Sequence, residues 1–259
     1  MLSSLLVVAT LVVSYIVLTN TPRKTKQDTN LTRSSDTSLE VIGKQGEDLV
    51  KSVLEQLPSQ YISRHNIYIP KNNGEYSQID HIVFSPYAIF VIETKNYAGI
   101  ISQTGASKLN HWLRTLSNGD TLEFFNPILQ NKQHVMYLTS YLGCSDTICC
   151  PIVVFAGSAI LSDIPCDMTV QYVSELYATI INLRQPLLTK AQINQFVQKI
   201  DSIELPDNIK DIHKKNIYKS HKSIGTCPMC NGDLVQRKSQ YGQFIGCSNF
   251  PSCRYVKNI

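Results

Sequence analysis

The chain has 259 residues, which gives room for one sizeable domain plus a small module. A net charge of +4 is too small to mark a polyanion-binding protein by itself. Its distribution says more: residues 208 to 259 hold 9 Lys+Arg against 2 Asp+Glu, which is +7, so the remaining 15 and 18 leave −3 on residues 1 to 207.

The chain opens on an apolar run from Leu2 to Leu18, and no charged side chain appears before Arg23, which Lys24 and Lys26 follow. A helix of about 20 apolar residues spans a bilayer, so residues 1–19 read as a transmembrane anchor. A cleaved signal peptide is the alternative, but its basic leading stretch is missing and no small-residue cleavage site follows the run. Basic residues after the run place the N-terminus outside and the body in the cytoplasm. The expectation is a single-pass protein of the cytoplasmic membrane. Residues 20–38, made of Thr, Asn, Ser, Gln and charge, read as a flexible linker.

From Glu40 to Leu57, apolar residues recur at helical spacing (Val41, Ile42, Leu49, Val50, Val53, Leu54), and Pro58 ends the pattern. A β-hairpin is predicted next: Gln78 to Phe84, a turn at Ser85-Pro86-Tyr87-Ala88, then Ile89 to Lys95. Folded symmetrically about Pro86-Tyr87, it pairs Phe84 with Ile89, Ile82 with Val91 and Asp80 with Glu93, and it puts Lys95 on the face of Glu93. Like charges placed directly opposite destabilise a sheet. A divalent cation that prefers oxygen ligands offsets that repulsion. The bland alternative is a surface hairpin with solvated charges, but Ile82, Ile89 and Val91 share the face and argue for burial.

Three segments in order, Gly43-Lys44-Gln45-Gly46-Glu47, Gln78-Ile79-Asp80-His81 and Glu93-Thr94-Lys95-Asn96-Tyr97, resemble the nuclease-related domain. That family belongs to the restriction-endonuclease-like superfamily, whose signature is Asp, a spacer, then Glu-X-Lys. The resemblance covers roughly residues 39 to 155 of a domain expected at 39–204. It implies an α/β core with a mixed central sheet flanked by helices, dependence on Mg²⁺ or Mn²⁺, and phosphodiester hydrolysis. It also implies that Asp80 and Glu93 hold the metal with help from the Thr94 carbonyl, that Lys95 stabilises charge, and that Glu47 reaches the site from a preceding helix. Asn126-Pro127-Ile128-Leu129-Gln130 matches a family context that puts a glutamine near the active site, which makes Gln130 a candidate. Gln130 and His134 are four apart on one helical face, and His134 reads as a packing or capping histidine.

Trp112 is expected to pack between elements. Cys149-Cys150 opens a buried strand and, with Cys144 and Cys166, reads as a set of structural thiols. A helix from Thr189 to Ile200 closes the domain, and residues 205–225 form a basic linker.

Four more cysteines close the chain: Cys227, Cys230, Cys247 and Cys253, spaced C-x₂-C-x₁₆-C-x₅-C. A module of this size at residues 226–259 needs a metal or disulfides to be stable. A cytoplasmic setting favours one tetrahedral Zn²⁺ over disulfides. Cys247-Ser248-Asn249-Phe250-Pro251-Ser252-Cys253-Arg254-Tyr255 resembles the C-terminal zinc finger of bacterial type I DNA topoisomerases. The resemblance implies a β zinc ribbon that binds DNA, often single-stranded. Tyr241, Phe244, Phe250 and Tyr255 can stack on bases, and Arg237, Lys238, Arg254 and Lys257 can meet phosphates; about half of the aromatics are expected to form the ribbon's own core.

The combined reading is a membrane-anchored, metal-dependent nuclease-like protein acting on nucleic acid, DNA first. The alternative is a catalytically silent nucleic-acid-binding or scaffolding module at the membrane.

Overall fold

The structure is a computed structural model that describes residues 29–71, 73–103, 111–164, 169–212, 227, 232, 234–239, 242–248, 250 and 253–258. The expected anchor at 1–19 lies outside these residues. Among the described residues no helix is long and apolar enough to cross a membrane. The chain divides into two units, residues 1–41 and 42–259; the described part of the first, 29–41, is helical.

In chain order the elements are α1 (Thr29–Leu54), β1 (Ile62–Pro70), β2 (Tyr76–Phe84), β3 (Ile89–Lys95), β4 (Gly99–Gln103), β5 (His111–Thr115), β6 (Thr121–Phe125), α2 (Pro127–Leu142), β7 (Cys149–Phe155), β8 (Ala159–Leu161), β9 (Thr169–Tyr172), α3 (Val173–Asn182), α4 (Lys190–Asp201), β10 (Leu234–Ser239), β11 (Gly242–Cys247) and β12 (Val256–Asn258). α1 starts at Thr29, within the 20–38 stretch expected as a linker. No Gly or Pro interrupts the stretch from Thr29 to Ile42, and adding turns to a nucleated helix is far easier than nucleating one.

The second unit is a mixed α/β fold. Its central sheet runs β1-β2-β3-β7-β9. The β1–β2 and β2–β3 pairs are antiparallel, and the β3–β7 and β7–β9 pairs are parallel. The hairpin turn forms where Ser-Pro predicts it: the Ser85 amide donates to the Ala88 carbonyl at 3.1 Å, and Ser85 Oγ accepts from the Ala88 amide, also at 3.1 Å. Phe84 pairs with Ile89 and Ile82 with Val91, as expected.

Both faces of this sheet are covered. On one, Val50 and Leu54 of α1 and Leu176 and Ile180 of α3 bury Val83, Phe90 and Ile92. On the other, Val135, Leu138 and Leu142 of α2 and Ile193, Phe196 and Ile200 of α4 bury Ile82, Phe84, Ile89 and Val91. Each such side chain taken from water stabilises the fold by about 1.5–3 kcal/mol. The helices end cleanly. Asn126 caps α2 by accepting from the Ile128 amide with Pro127 in the first turn, and Gly143 closes it at φ 75°. Thr189 and Gln192 form a capping box on α4.

A second sheet, β6-β5-β4-β8, adjoins the first. Trp112 joins the two as expected: it is buried and stacks on Phe155 of β7 with ring centres 6.5 Å apart. Cys149 and Cys150 do open β7, but they are half-buried. Burial pushes the Cys149 thiol up to about 12, which makes it inert. Cys166 lies outside the described residues. The third sheet, β10-β11-β12, is a small antiparallel ribbon.

Candidate active site and cysteine cluster

The acidic site forms where β2 leaves β3. The ladder between them ends at His81 and Ile92. Asp80 and Glu93, next in register, are therefore not a ladder pair. Instead the Thr94 amide donates to Asp80 Oδ2 at 2.8 Å. The Asp80 carboxylate takes over a backbone donor at the divergence and is held beside Glu93.

A local irregularity turns it there. Ile79 and Ile82 of β2 both enter the same core cluster. Strict alternation would put residues three apart on opposite faces, so β2 changes phase between them. The partner strand changes phase with it, because Ile62 and Ile67, five apart, pack on that same cluster. Asn66 of β1, at φ 53°, supplies the left-handed residue.

Glu93 is 3% exposed. Lys95 Nζ donates to its Oε1 at 2.6 Å and to Gln130 Oε1 at 3.0 Å. His134 Nε2 lies 3.2 Å from Glu93 Oε2, and His134 Nδ1 lies 3.1 Å from Ser77 Oγ. Gln130 and His134 sit one turn apart on α2 and so reach the same carboxylate–ammonium pair. Between them, Asn131 fastens α2 to the sheet: its Nδ2 donates to the carbonyls of Val91 and Ile152, each at 2.9 Å.

The two carboxylates are pushed apart electrostatically. Burial and the Glu93 charge raise Asp80 well above the ordinary aspartate range, against the Thr94 hydrogen bond. Burial also penalises the Glu93 charge, but Lys95 and His134 outweigh it and hold Glu93 down to about 2. Burial likewise opposes the Lys95 charge, and Glu93 more than compensates, so Lys95 is raised and stays an ammonium. Like carboxylates in one site split their affinities for protons in this way.

Glu47 approaches from α1 and is half-buried. Burial raises its carboxyl, while a hydrogen bond from Asn66 opposes the rise. Gly46 permits this approach, since a Cβ there would lie 2.6 Å from Asn96 Cβ. Asn96 also ties α1 down by donating Nδ2 to the Ile42 carbonyl at 2.7 Å.

The expected set Glu47, Asp80, Glu93, Lys95 and Gln130 is thus brought together from α1, β2, β3 and α2. His134, Ser77 and Asn66 belong to the same network and were not expected there. The signal for His134 is its spacing of four from Gln130, and nothing local marks Ser77 or Asn66. The clustered oxygen donors, one carrying a costly charge, fit a hard divalent cation.

In the ribbon, the sulfurs of Cys227, Cys247 and Cys253 are buried and all lie within 4.8 Å of one another. Cys227 Sγ and Cys253 Sγ are 3.7 Å apart. Four sulfurs at about 2.3 Å from a zinc ion are separated by about 3.8 Å, so the spacing fits. Cys230, the expected fourth ligand, and Tyr241 lie outside the described residues. Met136 of α2, Leu234 and Tyr255 pack on the cysteine cluster.

Tyr255 therefore serves the ribbon's core, while Phe244 is half-buried and Phe250 is 58% exposed. Arg237 donates to the Cys247 carbonyl at 3.1 Å, and its guanidinium lies 5.9 Å from the centre of the Phe250 ring. Lys238 and Arg254 are exposed.

Residues 42–156 match the family described as nuclease-related domain, and residues 224–259 match the topoisomerase DNA binding C4 zinc finger. An uncharacterized protein of Bacillus anthracis is 31% identical over 186 residues, covering 70% of this chain and 85% of that one. DNA topoisomerase 1 of Helicobacter pylori is 53% identical over 47 residues, 17% of this chain and 6% of the topoisomerase. DNA topoisomerase 1 of Methanothermobacter thermautotrophicus is 44% identical over 36 residues, 14% of this chain and 5% of the topoisomerase. No solved structure matches.

Proposed function

We propose a function from the premise that the chain belongs to the nuclease-related domain family and carries a topoisomerase-type C4 zinc ribbon at residues 224–259. It is a membrane-anchored nuclease with a restriction-endonuclease-like core, dependent on Mg²⁺ or Mn²⁺, that hydrolyses phosphodiester bonds in nucleic acid. DNA is the expected substrate and single-stranded DNA the expected ligand of the ribbon. The observation that carries the reading is the joint placement of Asp80, Glu93 and Lys95 at the β2–β3 divergence.

Asp80 and Glu93 would hold the divalent cation, and Glu47 would complete its ligand set. When bound, such a cation polarises the phosphate and lowers the pKa of its water. The protein's own groups do the rest. Lys95, kept charged and held between Glu93 Oε1 and Gln130 Oε1, stabilises negative charge that develops on the phosphate oxygens. Gln130 keeps the ammonium pointed at the site. His134 orients Glu93 from its other oxygen. In the ribbon, Phe244 and Phe250 would stack on bases, and Arg237, Lys238 and Arg254 would meet phosphates. Zn²⁺ would hold that module closed through Cys227, Cys230, Cys247 and Cys253.

The test is incubation of the purified cytoplasmic part with plasmid, linear and single-stranded DNA in Mg²⁺, Mn²⁺ or EDTA. Cleavage is expected with either cation and none with EDTA; cleavage that survives EDTA sinks the assignment. The anchor is tested separately. A reporter fused after Ile259 should be active only in the cytoplasm. Recovery of a mature protein lacking residues 1 to about 20 would mean a cleaved signal peptide instead.

A further inference from the structure

We infer that Asn66 is a positioning residue for the acidic site: its left-handed backbone sets the strand phase that aims Asp80. The inference rests on the nuclease reading above.

Two observations carry it. The first is conformational. Register pairs His65 with His81 and Ile67 with Ile79, so Asn66 stands opposite Asp80. Asn66 has φ 53°, and among the described residues only one other non-glycine residue has positive φ. Asparagine tolerates this region, and most other side chains are strained there. The left-handed residue lies where both strands change phase, and that change lets the Asp80 carboxylate reach the Thr94 amide.

The second observation is the side chain. Asn66 Oδ1 accepts from Gln78 Nε2 at 3.2 Å. The side chain thus ties β1 to β2 beside Asp80. Glycine could supply the conformation without the amide, and alanine neither. The side chain is exposed, so removing it leaves the core packing intact.

The test compares wild type, Asn66→Gly and Asn66→Ala as zinc-loaded full chains. Calorimetric titration with Mn²⁺ alone and thermal melting are the readouts. Asn66→Gly, which keeps the left-handed backbone, should melt and bind Mn²⁺ as wild type. Asn66→Ala, strained in that conformation, should melt lower and bind Mn²⁺ about 3- to 10-fold more weakly. Wild-type Mn²⁺ affinity in Asn66→Ala, or an equal loss in Asn66→Gly, overturns the inference alone. Wild type that binds no Mn²⁺ overturns the nuclease reading and the inference with it.

Discussion

Asp80→Asn is expected to abolish cleavage and, in metal-free buffer, to raise the melting temperature. Removing a ligand and its charge from the centre of the site should cost about 10³-fold or more in turnover, the scale seen when a main electrostatic stabiliser is lost. The stability gain comes from the same charge. Asp80 is raised by burial and by Glu93, so the native state resists its ionisation. An unfolded aspartate titrates near about 3.9. Below that value both states hold the proton and the residue costs nothing. As pH rises from the unfolded value through the folded one, the unfolded chain releases its proton more readily, and native stability falls. Asparagine keeps an oxygen for the Thr94 amide and removes the cost. Glu93 behaves in the opposite sense. Its carboxyl is held down to about 2, so the stability it contributes is complete above the ordinary glutamate range and is lost as pH falls towards 2. The gain of Asp80→Asn should therefore be clear at pH 8 and vanish near pH 4. A divalent cation should raise the melting temperature of wild type, by the equivalent of about 2.7 kcal/mol at a hundredfold excess over its Kd, and leave the variant unmoved. Retained cleavage, or a variant that melts below wild type at pH 8, would show that Asp80 is not the strained acid of a metal site.

Loss of zinc is expected to unfold the ribbon and weaken DNA binding without touching the chemistry. The cluster of Cys227, Cys247 and Cys253 is what the small β10-β11-β12 sheet is built around. A module this size has little apolar surface to bury, so metal-binding free energy is folding free energy. Cys227→Ser combined with Cys230→Ser should release one zinc and erase the ribbon's amide dispersion in NMR spectra. Four thiolates leave no open position on the metal, so the module contributes affinity only. Deleting residues 226–259 should weaken binding of single-stranded DNA while leaving cleavage at saturating substrate close to wild type. The lost affinity should be salt-dependent. Exposed Lys238 and Arg254 should each account for about 0.7 of the slope of log affinity against log salt. Arg237 is engaged with the Cys247 carbonyl, and its truncation should loosen the ribbon besides weakening binding. A ribbon that stays folded without metal, or a deletion that binds DNA as tightly as the full chain at moderate salt, would count against the assignment.

Part of this architecture is written in short stretches of chain. Ser85-Pro86 with alternating β-branched flanks specifies the hairpin and its pairing of Phe84 with Ile89, because turn residues and alternation act over a few bonds. Asn126-Pro127 and Thr189 announce helices for the same reason. The cysteine spacing announces a ribbon, since metal ligands must come from tight turns. Other features depend on segments far apart in sequence. The strict alternation predicted for β2 fails at Asp80 because Asn66, fourteen residues earlier, adopts a left-handed conformation. His134 reads as a packing residue until α2 is laid across β3, where its imidazole meets Glu93. α1 continues towards the N-terminus through a polar stretch with no helical pattern of its own. The sequence by itself therefore determined the acidic residues, the lysine, the cysteines and the local hairpin, all set by side-chain chemistry and nearest neighbours. Only the tertiary structure decided how those acids are aimed, which helix residues hold them and where β2 parts from β3, because these follow from packing between elements that no local pattern records.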